Sequence, residues 1–454
     1  MHSLNNPLAI LLVALGISTH AARASGADAP PSGWDAVPAI LQRIVPPEFP
    51  DRDFRVDPPG GSADGKADFR AAISKAIDAC SEEGGGRVVL GPGKWLSRGP
   101  VRIKSNVNLH LERGATLLFS AAPDDYLPAV FTRFEGTELM NFSPLVYAFE
   151  QENVAVTGEG TIDGQADDEH WWGWEPNWAK DIARLGLMVE RGVPPGDRVF
   201  GAGHHLRPSF IQFYRCKNVL VEGVKVVRSP MWEIHPVLCE NVTVRGVRIE
   251  THGPNNDGCN PECCRYVLIE DCYFDTGDDC IAIKSGRNAD GRRVAVPSQD
   301  IIVRNCVMKD GHGGVVLGSE MSGGIRNVFV ENCKMDSPHL ERAIRLKSNS
   351  MRGGFLENLY VRDVQVGQVS DAVLRIDLRY WHPESGDFVP TVRNIVLERV
   401  VSQKSLRPMY LVGLPDSAIG QVHLRDCEFR NASQPSVIEN VEELRLTRVT
   451  QPRE

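Results

Sequence analysis

From Val219 onward the chain repeats one short pattern of apolar and polar positions. An apolar residue is followed by any residue, a second apolar one, a polar one, then Asn, Asp or Gly, then Cys or Val. The pattern appears at Val219 to Val224, Val242 to Val247, Val267 to Cys272, Ile301 to Cys306, Val328 to Cys333 and Leu359 to Val364. Two later copies run from Ile395 to Val400, with Arg399 at the fifth place, and from Val422 to Cys427. Each copy alternates with period two and is rich in β-branched residues, so each predicts a strand. The copies recur every roughly 22 to 36 residues, a spacing typical of solenoids. That leaves too little chain between copies for a helix and its loops. The fold class expected is therefore all-β, a right-handed, single-stranded parallel β-helix with coils about 4.8 Å apart. An antiparallel sandwich would need hairpin turns such as Asn-Gly between neighbouring strands, and these are scarce.

Ahead of the repeats, Phe69, Ala72, Ile73, Ala76, Ile77 and Cys80 fall at helical spacing and are followed by Gly84-Gly85-Gly86. This predicts an amphipathic helix from Asp68 to Cys80 that caps the open end of the solenoid and blocks edge-to-edge pairing. A segment at about 165–206, carrying Trp171, Trp172, Trp174 and Trp178, breaks the rhythm and reads as an insertion. It could close one end of a cleft, although any single Trp more often packs into a core. At the start, the apolar run Leu8 to Ile17 precedes Ala22-Arg23-Ala24, the pattern of a cleaved secretion signal over 1–24. Residues 25–50 are rich in Pro and Ala and read as a linker, with one repeat domain over 51–454. The expected location is outside the cytoplasm, periplasmic or extracellular. The apolar run is too short to span a bilayer, so no membrane association is expected.

Eleven cysteines would suggest disulfides in an exported protein, but four of them occupy the sixth place of the repeat. There Cys272, Cys306, Cys333 and Cys427 alternate with Val224, Val247, Val364 and Val400, the mark of an inward stack of small hydrophobes. The pairing of Cys216, Cys239, Cys263 and Cys264 stays open at this level. The formal charge of −9 becomes −10 if Arg23 leaves with the signal. Such a chain repels nucleic acids and acidic polymers at long range. A polyanionic substrate would therefore require a local basic patch. Lys284, Arg287, Arg292, Arg293, Arg342, Arg345, Lys347 and Arg352 supply one.

That patch adjoins four motifs on consecutive coils: Asn255-Asn256-Asp257-Gly258, Gly277-Asp278-Asp279-Cys280, Gly311-His312-Gly313 and Arg345-Leu346-Lys347. Gapless alignment of Gly277–Ser285 on Gly311–Ser319 places His312 one coil above Asp278. Alignment of Asp257–Pro261 on Asp279–Ile283 places Asp257 one coil below Asp279. Ile344 and Leu346 match the inward Val315 and Leu317, so Arg345 and Lys347 point outward on the same face. A lone Asp is more often a turn residue, but all four motifs in register make a candidate site. Crowded carboxylates raise at least one pKa, which keeps a proton for general acid work while ionised neighbours activate water. Glycosidic hydrolysis needs that division of labour. Arg345 and Lys347 suit a sugar carboxylate. No cofactor or metal is expected, since an imidazole suits proton transfer better than calcium binding.

These motifs resemble those of glycoside hydrolase family 28, the polygalacturonases, in the bacterial exo-polygalacturonase style. The family usually has Asn-Thr-Asp where this chain has Asn255-Asn256-Asp257, and Arg-Ile-Lys where it has Arg345-Leu346-Lys347. The resemblance runs from about Asp64 to the C-terminus. It implies a pectin-lyase-like solenoid that hydrolyses galacturonate-rich pectic polysaccharide with inversion. By that resemblance Asp278 is the general acid, Asp257 and Asp279 activate water, His312 tunes the acid, and Arg345 and Lys347 bind the substrate carboxylate. Inversion predicts a spacing of roughly 6.5–9.5 Å between acid and base. Alternatives are a β-helical polysaccharide lyase, a rhamnogalacturonan hydrolase and a non-catalytic glycan-binding solenoid. The partner expected in each case is an acidic polysaccharide or oligosaccharide. Oligomeric state is not readable from the sequence.

Overall fold

The computed structural model describes residues 33–58, 63–381 and 386–451. The expected signal segment 1–24 lies outside them. Three parallel sheets wind as a solenoid, a parallel β-helix: one of thirteen strands, one of twelve, and a third in blocks of four and six. The two blocks of the third sheet are joined through the coil of Cys259, which bridges Ile234 to Ile281.

The repeat forms the thirteen-stranded sheet. Its first places stack in one ladder, Val219, Val242, Val267, Ile301, Val328, Leu359, Ile395 and Val422, each facing the next in register. The fifth place turns the chain into the next sheet with φ between +52° and +77°, from Arg399 to Gly223. That left-handed conformation is least costly for Gly, Asn and Asp, which accounts for their recurrence there. The sixth-place cysteines point inward, and all eleven thiols are free and buried.

The fourth place carries a register device. It reads Glu222, Arg245, Glu270, Arg304, Glu331, Arg362, Glu398, Arg425, alternating in sign up eight coils. Arg245 Nε and Arg304 Nε both donate to the Glu270 carboxylate, at 2.6 and 2.7 Å. Arg362 reaches Glu331 and Arg425 reaches Glu398. A slip of one coil would oppose like charges, which disfavours wrong pairings.

The capping helix spans Arg70–Glu82 and turns Phe69, Ile73, Ile77 and Cys80 into the core. Part of the segment expected to be a linker is corrected by the structure. Gly33–Ala36 and Val37–Leu41 are short helices, and Trp34, Val37, Ile40 and Ile44 pack on Leu268, Ile302 and Phe329. Those three residues fill the second place of the repeat on the outer sheet face, where burial replaces exposure because they are large and apolar.

Three excursions rise beside the third sheet. Val130–Phe134 and Thr137–Asn141 form a hairpin whose turn residues, Glu135 and Gly136, both have positive φ, as a tight primed turn requires. Helix Glu175–Glu190 lies within the segment expected to be an insertion, and the short helix Asn288–Val294 forms the third excursion. Buried charges fix the excursions together: Arg198 donates to Asp290 at 2.8 Å, and Asp290 accepts from the Glu138 amide at 2.8 Å. Among the described residues no helix is long and apolar enough to cross a membrane.

Candidate active site

The site lies on the outward face of the third sheet, where successive coils supply one motif each. Ile281, Val315 and Ile344 are neighbours in register and point inward. Alternation then turns Arg345 and Lys347 outward. The bridge from Cys259 to Ile281 sets Asp257 beside Asp279, and the offset of Ile281 on Val315 sets Asp278 beside His312. Glycine makes the close stacking possible. A Cβ on Gly277 would lie 2.3 Å from the Gly253 carbonyl oxygen, and one on Gly258 would lie 2.5 Å from Phe274 and from the Cys280 carbonyl.

Asp257, Asp278 and Asp279 each bring a carboxylate oxygen within 4.8 Å of the other two. That contact is between single oxygens, whereas the spacing expected of an inverting site is taken between whole carboxyl groups. Adjacent coils stack their turns directly, and cations rather than a wide gap relieve the repulsion. Lys347 Nζ donates to Asp279 Oδ2 at 2.7 Å, and Arg345 lies 3.4 Å from Asp279 Oδ1. Lys284 Nζ lies 3.4 Å from Asp257 Oδ2 and 3.1 Å from Glu320. Asn260 donates to the same Asp257 oxygen at 3.0 Å. His312 Nδ1 is 3.0 Å from Asp278 Oδ1.

The electrostatic outcome differs in place from the sequence expectation. Burial lifts the Asp257 carboxyl well above the usual range; Lys284 opposes this, while Asp278 and Asp279 add to it. Burial would also raise Asp278, but the His312 hydrogen bond and the nearby lysines outweigh it and hold that carboxyl at about 2. The same hydrogen bond lifts His312 to about 9, against its partial burial. The unliganded His312–Asp278 pair thus carries one shared proton, resting on the imidazole. Glu233, fully buried, is raised well above the carboxylate range by burial and then by Asp257.

The three aspartates could in principle hold a cation, as could His252, Asp275 and Asp310 elsewhere on the surface. At the former, Lys284, Lys347, Arg345 and His312 already supply positive charge, so a divalent ion would meet repulsion rather than free ligands.

A cleft of about 840 Å³ opens over these groups. Its walls include Trp178 and Ile182 of helix Glu175–Glu190, Trp232, Glu135, Tyr380 and Trp381. Trp171, by contrast, is buried in the core against Tyr126. Of the expected basic patch, Lys284, Arg287, Arg342, Arg345, Lys347 and Arg352 line the cleft. Arg292 instead lies over the Phe388 ring at 3.5 Å, and Arg293 bonds Asp290 at 3.0 Å. Glu320, Asn260 and Tyr380 carry no periodic sign in the sequence and were not anticipated. Tyr380 lies 5.3 Å from both Arg345 and Lys347, and Trp232 lies 4.4 Å from Lys284.

A solenoid of parallel coils with clustered acids beneath a cationic cleft defines a carbohydrate-active β-helix. Residues 200–447 match the family described as Glycosyl hydrolases family 28, and the chain belongs to that family. It is similar to an exopolygalacturonase from Thermotoga maritima of solved structure, at 45% identity with a TM-score of 0.86, covering 90% of this chain and 95% of that one. Among curated relatives, a probable polygalacturonase of Vitis vinifera is 31% identical over 67% of this chain and 58% of its own length. An exo-poly-alpha-D-galacturonosidase of Dickeya chrysanthemi is 27% identical over 71% of this chain and 56% of its own. The chain thus spans a little over half the length of these two relatives.

Proposed function

We propose that the protein hydrolyses the glycosidic bonds of a galacturonate-rich polysaccharide outside the cytoplasm, with Asp278 as the general acid. The observation that carries this reading is the convergence of Asp257, Asp278 and His312, with Asp279 buried beside them, in one cleft that six Lys and Arg side chains also line. A binding groove for an acidic glycan would gain nothing from three carboxylates on its floor. The similarity to a solved exopolygalacturonase supports galacturonan as the substrate class.

In this reading Arg345 and Lys347 receive the carboxylate of one sugar unit. Lys347 is then shared between that carboxylate and Asp279, so Asp278 loses part of the positive field that holds it low. The proton of the His312–Asp278 pair passes to Asp278 Oδ and from there to the glycosidic oxygen as the C–O bond breaks. A water held by Asp279 and Asp257 adds to the anomeric carbon and gives its proton to that pair. The site regains its starting state when that proton leaves to solvent and the His312–Asp278 pair takes one up. Burial disfavours the ionised form of Asp257 that water activation needs, and the charge of Lys284 at 3.4 Å opposes that effect.

The stereochemistry of the reaction is a separate test. The family resemblance implies inversion, and a double displacement through a covalent intermediate would retain configuration instead. Proton NMR of the first reducing end released from polygalacturonate separates them. Immediate appearance of the β-anomer supports direct attack by water, and the α-anomer would replace it with a covalent intermediate. A product absorbing in the ultraviolet, dependent on calcium, would overturn hydrolysis altogether in favour of elimination. The Trp178 wall favours attack at chain ends, for which monomer is the early product.

A further inference from the structure

Outside the cleft, three side chains with ligating atoms meet at the corner where the chain leaves the twelve-stranded sheet. Glu250 and Asp275 are partners in register, as are Thr251 and Thr276, which puts His252 beside the turn that follows Asp275. The Thr276 amide donates to the Asp310 carbonyl at 3.1 Å and so brings in the next coil. His252, Asp275 and Asp310 thus come from three consecutive coils, and one ligand atom of each lies within 4.8 Å of the other two.

The spacing inside this cluster is that of ligands around an ion. His252 Nε2 lies 3.2 Å from Asp275 Oδ1, yet that oxygen is buried and accepts no hydrogen bond among the described residues. Two ligands each about 2.1 Å from one ion stand about 3.0–3.4 Å apart at octahedral or tetrahedral angles. The Asp310 carboxylate accepts from the Ser337 hydroxyl, the kind of outer contact that orients a metal ligand. The aspartates of the cleft are paired with lysines and Arg345, whereas Asp275 and Asp310 pair with no Lys or Arg among the described residues. A cation therefore meets carboxylates that no basic side chain neutralises. His252 is exposed, which gives an ion a path in and leaves room for water in its remaining positions.

We propose that His252, Asp275 and Asp310 form a binding site for a divalent transition-metal ion of the zinc class, separate from the cleft, which clips three coils together. An imidazole with two carboxylates suits zinc, or manganese or cobalt in its place, better than calcium, which prefers oxygen alone. The same three coils carry Asp257, Asp278 and His312 a few residues further on. The Thr276 hydroxyl donates to the Asp278 carbonyl at 2.8 Å, and the His312 amide donates to that carbonyl at 3.1 Å. An ion bound only by the folded chain stabilises it by mass action, so the clip acts where the turns beneath the cleft are stacked.

The test is to titrate chelator-treated protein with Zn²⁺, Mn²⁺ and Ca²⁺, following calorimetry, metal content after gel filtration, and thermal unfolding. One Zn²⁺ should bind per chain, at least about tenfold more tightly than Ca²⁺. Saturation should raise the unfolding temperature by at least about 2 °C. His252→Ala should abolish the binding and the rise together. Asp310→Asn should weaken binding at least about tenfold, and serves if His252→Ala does not fold. Asp278→Asn should leave binding unchanged, which separates this cluster from the aspartates of the cleft. Absence of Zn²⁺ binding at millimolar concentration overturns the inference, as does binding that survives both His252→Ala and Asp310→Asn. Binding lost in Asp278→Asn, or Ca²⁺ held as tightly as Zn²⁺, overturns it as well. None of these readouts depends on hydrolysis, so the inference stands or falls separately from the proposed activity.

Discussion

Replacing His312 by alanine probes the proton accounting of the site. The imidazole sits 3.0 Å from Asp278 and holds the shared proton up to about pH 9. At pH 8, one unit below that, the pair is still about nine-tenths protonated. Asp278 without the imidazole has no such reserve. Removing the hydrogen bond raises its carboxyl from about 2, because burial then acts with less opposition. Lys347 and Lys284 still favour the ionised form, so a lone carboxyl there gives up its proton well below pH 8. The sign is definite: the His312 pKa is raised, so the wild-type proton is present at low pH and lost only as pH climbs through about 9. Since kcat/KM follows the free enzyme, its alkaline limb should lie near 9 in the wild type and move to lower pH in His312→Ala. The expected loss on polygalacturonate is about 10²-fold at pH 8, the range of general acid catalysis, and at least tenfold smaller at pH 5. Reducing-end assays from pH 4 to 10 measure both. Profiles of the two proteins that run parallel, however large the gap between them, would refute the shared-proton account.

Other outcomes follow from the packing. Glu270→Gln leaves Arg245 and Arg304 without their common partner in the charge ladder. Because both arginines are about a third exposed, the expected cost is about 1–2 kcal/mol by denaturant titration, and no change would remove the ladder from the stability account. Lys347→Met leaves the buried Asp279 with Arg345 alone at 3.4 Å, and should cost about 3 kcal/mol, partly recovered in Lys347→Met with Asp279→Leu. Gly277→Ala would drive a methyl into the Gly253 carbonyl at 2.3 Å, so a lower unfolding temperature and lower activity are expected together.

The solenoid and the outline of the site were legible because both are written as periodicity. Val219, Val242 and their successors repeat closely enough to fix one ladder, and the gapless alignment of Gly277–Ser285 on Gly311–Ser319 carried the register into the third sheet. The same repeats held signals that the pattern reading passed over. Alternation of Glu and Arg at the fourth place announced the charge ladder, and the apolar Leu268, Ile302 and Phe329 at the second place announced that the outer face is covered. The N-terminal helices read as linker because the signal for them lay on their distant partner surface, not in Gly33–Leu41 itself. Other features left no local trace. Glu320 and Tyr380 sit in turns whose geometry depends on the whole coil, and the assignment of protons between Asp257 and Asp278 depends on depth of burial and on which lysine reaches which carboxylate. Arg352 and Arg292 look alike in sequence; packing alone sends one to the cleft and the other over Phe388.

The most direct measurement is the activity of Asp278→Asn, a change that keeps the shape of the side chain and removes its proton. The account predicts that release of reducing ends from polygalacturonate falls about 10²- to 10⁴-fold while the unfolding transition is retained. A folded Asp278→Asn protein that cleaves the polymer at the wild-type rate would contradict it.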